Sequence, residues 1–127
     1  MQSDKNSFFS QEELTELGFR TLGNSVKISR QASIYNPSKI EIGDFSRIDD
    51  FCVISAGTNG ICIGNNVHIS PYCSLIGNGR ITLENYSGLS SRVSIYSSND
   101  DYSGNFMTNP TINSKYTNVT SKEVNIG

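Results

Sequence analysis

The sequence has 127 residues, a formal charge of −2 and 17% charged residues, which fits a single domain and argues against nucleic acid or an anionic membrane as main partner. No apolar run approaches the roughly 20 residues of a membrane span, and the N-terminus "MQSDKNSFFSQEEL" has no apolar stretch of signal-peptide length. Three cysteines, an odd number without CxxC or zinc-finger spacing, fit a reducing compartment, so a cytoplasmic protein with no metal site is expected.

The first predicted element is a helix over 11–17. Ser10 and Glu13 have the S-x-x-E spacing of a capping box, in which each side chain satisfies the other residue's orphan backbone N–H. Phe9 and Leu14 take the places of a hydrophobic staple. Leu14 and Leu17 give a short apolar face, and Gly18 suits a left-handed stop. This N-terminal segment, 1–21, is expected to cap the base of a repeat that starts at Leu22.

From Leu22 onward an aliphatic residue recurs every six positions: Leu22, Ile28, Ile34; Ile42, Ile48, Ile54; Ile63, Ile69, Leu75; Leu83, Leu89, Ile95; and Ile126. Two residues before each from Ile28 onward stands a small or β-branched residue, for example Val26, Ser46, Cys52, Val67 and Cys73. The residues between the two are mostly polar, such as Lys27, Arg47, His68 and Thr82. Alternation with period two means short strands with one face inside. A period of six with turn residues between means strand, corner, strand, corner. Extra residues enter only after the third hexad, after Ile34, Ile54 and Leu75. Insertion at one fixed corner is what a stacked solenoid requires, because each coil keeps register with the one below. Three hexads per coil make a three-sided prism with a core of aliphatic ladders. Cys52 and Cys73 are expected in that core, and Cys62 outside it.

This is the hexapeptide signature, and about Leu22 to Gly127 resembles the left-handed β-helix acyltransferases, with the galactoside and colanic-acid-type sugar acetyltransferases as the nearest pattern. The resemblance implies an all-β solenoid, a left-handed parallel β-helix over 22–127 with the short N-terminal helix as its cap. Handedness comes from the resemblance, since general crossover rules favour the right hand. The chain stops at "EVNIG" as a fifth coil begins. Relatives continue with further coils, so the sequence reads as truncated at the C-terminus or as covered by another chain.

One polar excursion, 96–123, breaks the rhythm. In hexapeptide sugar acetyltransferases a loop of this kind carries the catalytic His and packs against a neighbouring subunit. Colanic-acid-type relatives have His-Asp-Tyr there, and the matching residues here are Asp100-Asp101-Tyr102, with Asp100 in the place of the His. Acetyl transfer from acetyl-CoA to a sugar needs a general base, ideally with a pKa near 7. His offers about 6.5 and Asp about 3.9, so either Asp would need its pKa raised.

His68 is the only His and points out of the second face in "NNVHISPYC". Two readings stay open: a surface or subunit-contact residue, or the base, reached by a neighbour's loop across a trimer cleft. Asp100 and Asp101 are read either as turn residues or as groups that bind the acceptor and orient the base. The candidate catalytic residues are therefore His68, Asp100 and Asp101. Acceptor contacts are assigned to Asn99, Asp100, Asp101, Tyr102 and Phe106.

The resemblance implies an acyl-CoA-dependent acetyltransferase with acetyl-CoA as co-substrate. The acceptor is the hydroxyl or amino group of a saccharide or nucleotide-sugar, and the assembly a homotrimer with sites between subunits. No residue is assigned to CoA contact. The competing reading is a non-catalytic β-helix, a remnant or oligomerisation module. A γ-type carbonic anhydrase needs three His ligands, which one His per chain cannot supply.

Overall fold

The computed structural model describes residues 7–99 and 120–127. After helix α1 (Gln11–Leu17) the chain climbs in coils of three short strands. The first coil holds β1 (Thr21–Leu22), β2 (Lys27–Ile28) and β3 (Ser33–Tyr35). The second holds β4 (Ile40–Ile42), β5 (Arg47–Ile48) and β6 (Val53–Ala56). The third holds β7 (Ile61–Ile63), β8 (His68–Ile69) and β9 (Ser74–Gly77). The fourth holds β10 (Ile81–Leu83), β11 (Gly88–Leu89) and β12 (Ser94–Tyr96). A β13–β14 pair (Ser98–Asn99 and Thr120–Ser121) comes next, and then β15 (Val124–Ile126) opens another coil.

Strands stack in parallel into three sheets, one per face: β1-β4-β7-β10-β15, β2-β5-β8-β11 and β3-β6-β9-β12. The architecture is a left-handed β-helix with a short capping helix: the hexads predict the three-sided solenoid, and the family resemblance its hand. Register is strict. On the second face Ile28, Ile48, Ile69 and Leu89 lie over one another, and on the third Ile34, Ile54, Leu75 and Ile95. Nearly all are buried, and Cys52 and Cys73 are fully buried beside them. Each thiol donates to a carbonyl of the coil above, Cys52 to Ser70 and Cys73 to Ser90, both at 3.1 Å. Burial pushes the Cys52 thiol above its ordinary pKa, so it acts as a small apolar filler.

Helix α1 has the predicted bounds. Ser10 Oγ accepts from Glu13 N–H, Glu13 Oε1 accepts from Ser10 N–H, and Gly18 closes the helix at φ 85°. Leu14 is fully buried in the same core as the prism. Arg30 fastens the cap through both guanidinium nitrogens, at 2.9 and 2.6 Å from the Glu13 carboxylate. The Arg30 bonds first, and the Ser10 backbone second, hold Glu13 down to a pKa of about 2.

The first corner explains why Gly so often precedes an Asn or Asp. The Asn24 amide donates to Asp44 Oδ1, the Asp44 amide to Asn65 Oδ1 and the Asn65 amide to Asn85 Oδ1, all at 2.7–2.8 Å. Each acceptor oxygen sits where the Cβ of a residue one coil below would go. A Cβ on Gly43 would lie 2.3 Å from Asn65 Oδ1, and one on Gly64 2.5 Å from Asn85 Oδ1. Glycine is required by close approach rather than by backbone angle. Gly43→Ala and Gly64→Ala should each lose about 1–3 kcal/mol through overpacking. The check is urea unfolding, with a lower midpoint at unchanged slope.

Candidate functional site

The second face carries one outward residue per coil, and register aligns them. Lys27 pairs with Arg47, Arg47 with His68, and His68 with Gly88. Rungs lie about 4.8 Å apart, so Lys27 and Arg47 would repel if nothing separated them, and His68 crowds the guanidinium from above. Two groups separate them. The Phe8 ring lies 5.9 Å from Lys27 Nζ and 5.3 Å from Arg47 Cζ, held in place by a bridge from Phe8 to Ser29. Asp49 stands between Arg47 and His68. Its Oδ1 accepts from Arg47 Nε at 2.6 Å, and its Oδ2 lies 2.7 Å from His68 Nε2.

Asp49 is only 8% exposed, whereas the His68 side chain is 55% exposed. Burial works to raise the Asp49 pKa. The hydrogen bonds from Arg47 and then His68 outweigh it and leave the carboxyl below the ordinary range. The cluster is thus a fixed carboxylate with a guanidinium on one oxygen and an imidazole on the other. A shallow cleft of about 220 Å³ opens beside it, lined by Ser7, Phe8, Arg47, Asp49, Asp50 and Pro71. Asp50 is occupied separately by a short hydrogen bond from Ser29 Oγ.

The adjoining corner carries an aromatic ladder. Phe51 and Tyr72 stack with centroids 5.2 Å apart, and the Arg92 guanidinium caps Tyr72 at 4.6 Å. All three have φ between 61° and 67°, a left-handed backbone that side chains of this size seldom adopt. Tyr96 lies exposed on the third face.

His68 points outward on the second face as its place in the hexad predicts. Asn99 sits on β13, opposite Thr120, at the corner between the third and first faces. That corner is the one farthest from the second face, so one chain does not bring Asn99 and His68 together. Asp100, Asp101, Tyr102 and Phe106 lie outside the described residues. Two groups escaped the sequence reading: Asp49 and Gly88. Repeat arithmetic contains the signal for both, since His68 lies 21 positions above Arg47 and 20 below Gly88, and Asp49 is two residues beyond Arg47. Among the described residues no cluster of three His, Cys, Asp or Glu side chains is arranged to hold a metal ion. Among the same residues, no helix is long and apolar enough to cross a membrane.

The fold places the chain beside hexapeptide-repeat acyltransferases, and sequence comparison sharpens the likeness. No family model matches. The chain is 51% identical over 121 residues to a dTDP-4-amino-4,6-dideoxy-D-glucose acyltransferase of Escherichia coli, covering 95% of this chain and 63% of that protein. The N-acyltransferase AntD of Bacillus cereus, crystallised with dTDP and 3-hydroxybutyryl-CoA, is 45% identical with a TM-score of 0.87, over 94% of this chain and 63% of AntD. An AntD variant in complex with dTDP-4-amino-4,6-dideoxyglucose and coenzyme A gives 43% identity and a TM-score of 0.88, over 95% of this chain and 64% of the variant. The chain therefore spans a little under two thirds of the length of these relatives, and resembles sugar acyltransferases of the hexapeptide-repeat type in both fold and sequence.

The Asp49 cluster predicts an acid response. A carboxylate whose folded pKa is depressed contributes stability that is present above its unfolded pKa, about 3.9, and lost as pH falls through the lower folded value. Thermal unfolding between pH 5 and pH 2 should show Asp49→Asn less stable than the parent at pH 5. The gap should narrow toward pH 2.

Proposed function

We propose that the chain carries the acceptor-side machinery of an acyl-CoA-dependent N-acyltransferase whose acceptor is the amino group of a dTDP-linked deoxy sugar. The observation that carries this reading is the 51% identity, over 121 residues, to an acyltransferase for dTDP-4-amino-4,6-dideoxy-D-glucose. The AntD complexes with dTDP, the amino sugar nucleotide and CoA species support the same pair of substrates. Acetyl-CoA is one donor to test. The 3-hydroxybutyryl-CoA bound to AntD supports longer acyl groups as well.

An amino acceptor suits the acids of the excursion. The neutral amine attacks the thioester carbonyl carbon, forming the C–N bond. The C–S bond breaks and its electron pair leaves on sulfur. One proton passes from nitrogen to a base and then to the thiolate, giving amide and free CoA. The base needs only to remove a proton from a nitrogen made acidic by attack, so an ionised Asp100 or Asp101 serves as well as His68. Asn99, Tyr102 and Phe106 are assigned to the acceptor. Because the excursion is rooted on the corner opposite the second face, the active unit is assigned as a homotrimer. In it, Asp100 and Asp101 of one subunit face the His68 column of a neighbour.

Incubation of the chain with dTDP-4-amino-4,6-dideoxyglucose and either acetyl-CoA or 3-hydroxybutyryl-CoA should release CoA only when the sugar is present. Chromatography reads the free CoA, and mass spectrometry reads the acylated sugar nucleotide. Asp100→Asn and Asp101→Asn should separate the two acids, the functional one losing about 10²–10⁴-fold in kcat. Binding of the sugar nucleotide without CoA release from any donor would turn the reading toward a non-catalytic module.

A further inference from the structure

We infer that the vacant rung at Gly88, above His68, seats the acceptor's amino group, and that Asp49 is the positioning residue that presents His68 to it. This rests on the acyl-transfer reading and adds a place and a proton path to it.

Gly88 is a glycine the fold does not need. It lies in β11, the end strand of the second-face sheet, where glycine offers no side chain to pack against the rung below. Its φ is not among the left-handed values, which in the glycines belong to Gly18, Gly60 and Gly77. A Cβ at Gly88 would meet only the His68 carbonyl oxygen, at 3.6 Å, an ordinary contact. Gly43 and Gly64 are glycine because a neighbouring oxygen fills the space. Gly88 has neither reason. What its missing side chain provides is room, and the room lies one rung above the imidazole.

His68 is prepared for that room. A carboxylate can only accept, so Asp49 Oδ2 at 2.7 Å places the proton of the neutral ring on Nε2. The lone pair is then on Nδ1, which has no other partner among the described residues. Arg47 keeps Asp49 ionised and fixed from the other side, at 2.6 Å. The charged groups around the imidazole are Asp49 beside it, Arg47 one rung below, Lys27 beyond Arg47, and Asp50 next to Asp49 with Ser29 on it. The Gly88 rung above brings no charge, nor do Ser7 and Phe8 of the N-terminal segment. An amine in the slot donates N–H to Nδ1. As the C–N bond forms and the C–S bond breaks, that proton moves to Nδ1 and the imidazolium returns it to the departing thiolate. Asp49 stabilises the imidazolium meanwhile.

Two variants and one spectroscopic probe test this. Gly88→Val supplies a residue that strands favour and fills the slot. It should keep the parent's melting temperature or raise it, and raise KM for the amino sugar at least tenfold with KM for acyl-CoA unchanged. Gly88→Ala should fall between the two and serves if the valine variant does not fold. Asp49→Asn should lower kcat at least tenfold. It should also release the imidazole from a single neutral tautomer, because an amide can donate to Nε2 as well as accept from it. A merely structural Asp49 would not change the tautomer.

The probe is nitrogen-resolved NMR of the imidazole, which needs no assignment because the chain has one His. Parent protein should show Nε2–H as the neutral tautomer and should respond at Nδ1 when dTDP-4-amino-4,6-dideoxyglucose is added. Gly88→Val should not respond. If no variant turns over but this pattern holds, the slot stands and the catalytic reading falls. If Gly88→Val leaves both KM and the imidazole response as in the parent, the slot is overturned. An imidazole that keeps the parent's Nε2–H tautomer in Asp49→Asn overturns the positioning role.

Discussion

Parallel pairing between consecutive coils is the constraint on which every other feature of this molecule depends. From β4 to β12 each strand bonds to the one 20 or 21 positions earlier, and β15 bonds to β10 across the excursion, so a side chain rests directly over its counterpart about 4.8 Å below. That constraint makes like stack on like. Inside, it turns Ile48, Ile69 and Leu89 into a continuous apolar ladder. Outside, it forces Lys27, Arg47 and His68 into one column, where the two cations must be separated. The Phe8 ring and the Asp49 carboxylate are the separators, and the polar site is a by-product of keeping register.

The same constraint decides what the sequence discloses. The hexads were legible because each rung needs an apolar residue at a fixed phase, and Ile28, Ile48 and Ile69 repeat without exception. The helix at Gln11–Leu17 was legible because Ser10, Glu13 and Gly18 are local signals that need no partner elsewhere. The outward direction of His68 was legible from the same hexad phase. Its partner was not. Asp49 reaches His68 because register puts Arg47 under His68 and Asp49 lies two residues beyond Arg47, across the gap between coils. Hydrophobic periodicity carries no information about such polar neighbours across coils. Gly88 was hidden differently: a glycine in a repeat rich in turns attracts no notice until the space around it is known. Asp100, Asp101, Tyr102 and Phe106 belong to a stretch with no hexad phase, and periodicity cannot place them.

The likeness to dTDP-amino-sugar acyltransferases and the geometry of the second face bear on different halves of the chemistry. The likeness names a pair of substrates. It does not say which of this chain's side chains meet them. The cluster of Arg47, Asp49 and His68 under a bare rung is a property of this chain's own side chains, and it fixes which ring nitrogen faces outward unpaired among the described residues. With the proposed amine acceptor the two contributions are compatible.

The third corner works as an expansion joint. Successive faces are joined through the first two corners by a constant number of residues, while the third takes up every difference in coil length, from eight positions between Ile34 and Ile42 to 31 between Ile95 and Ile126. Sequence can be added or removed there without turning the prism, so no phase error reaches the second face. The column bearing His68 is therefore insulated from whatever the excursion becomes. Length is free to vary at the joint while the wall opposite keeps its rungs in line.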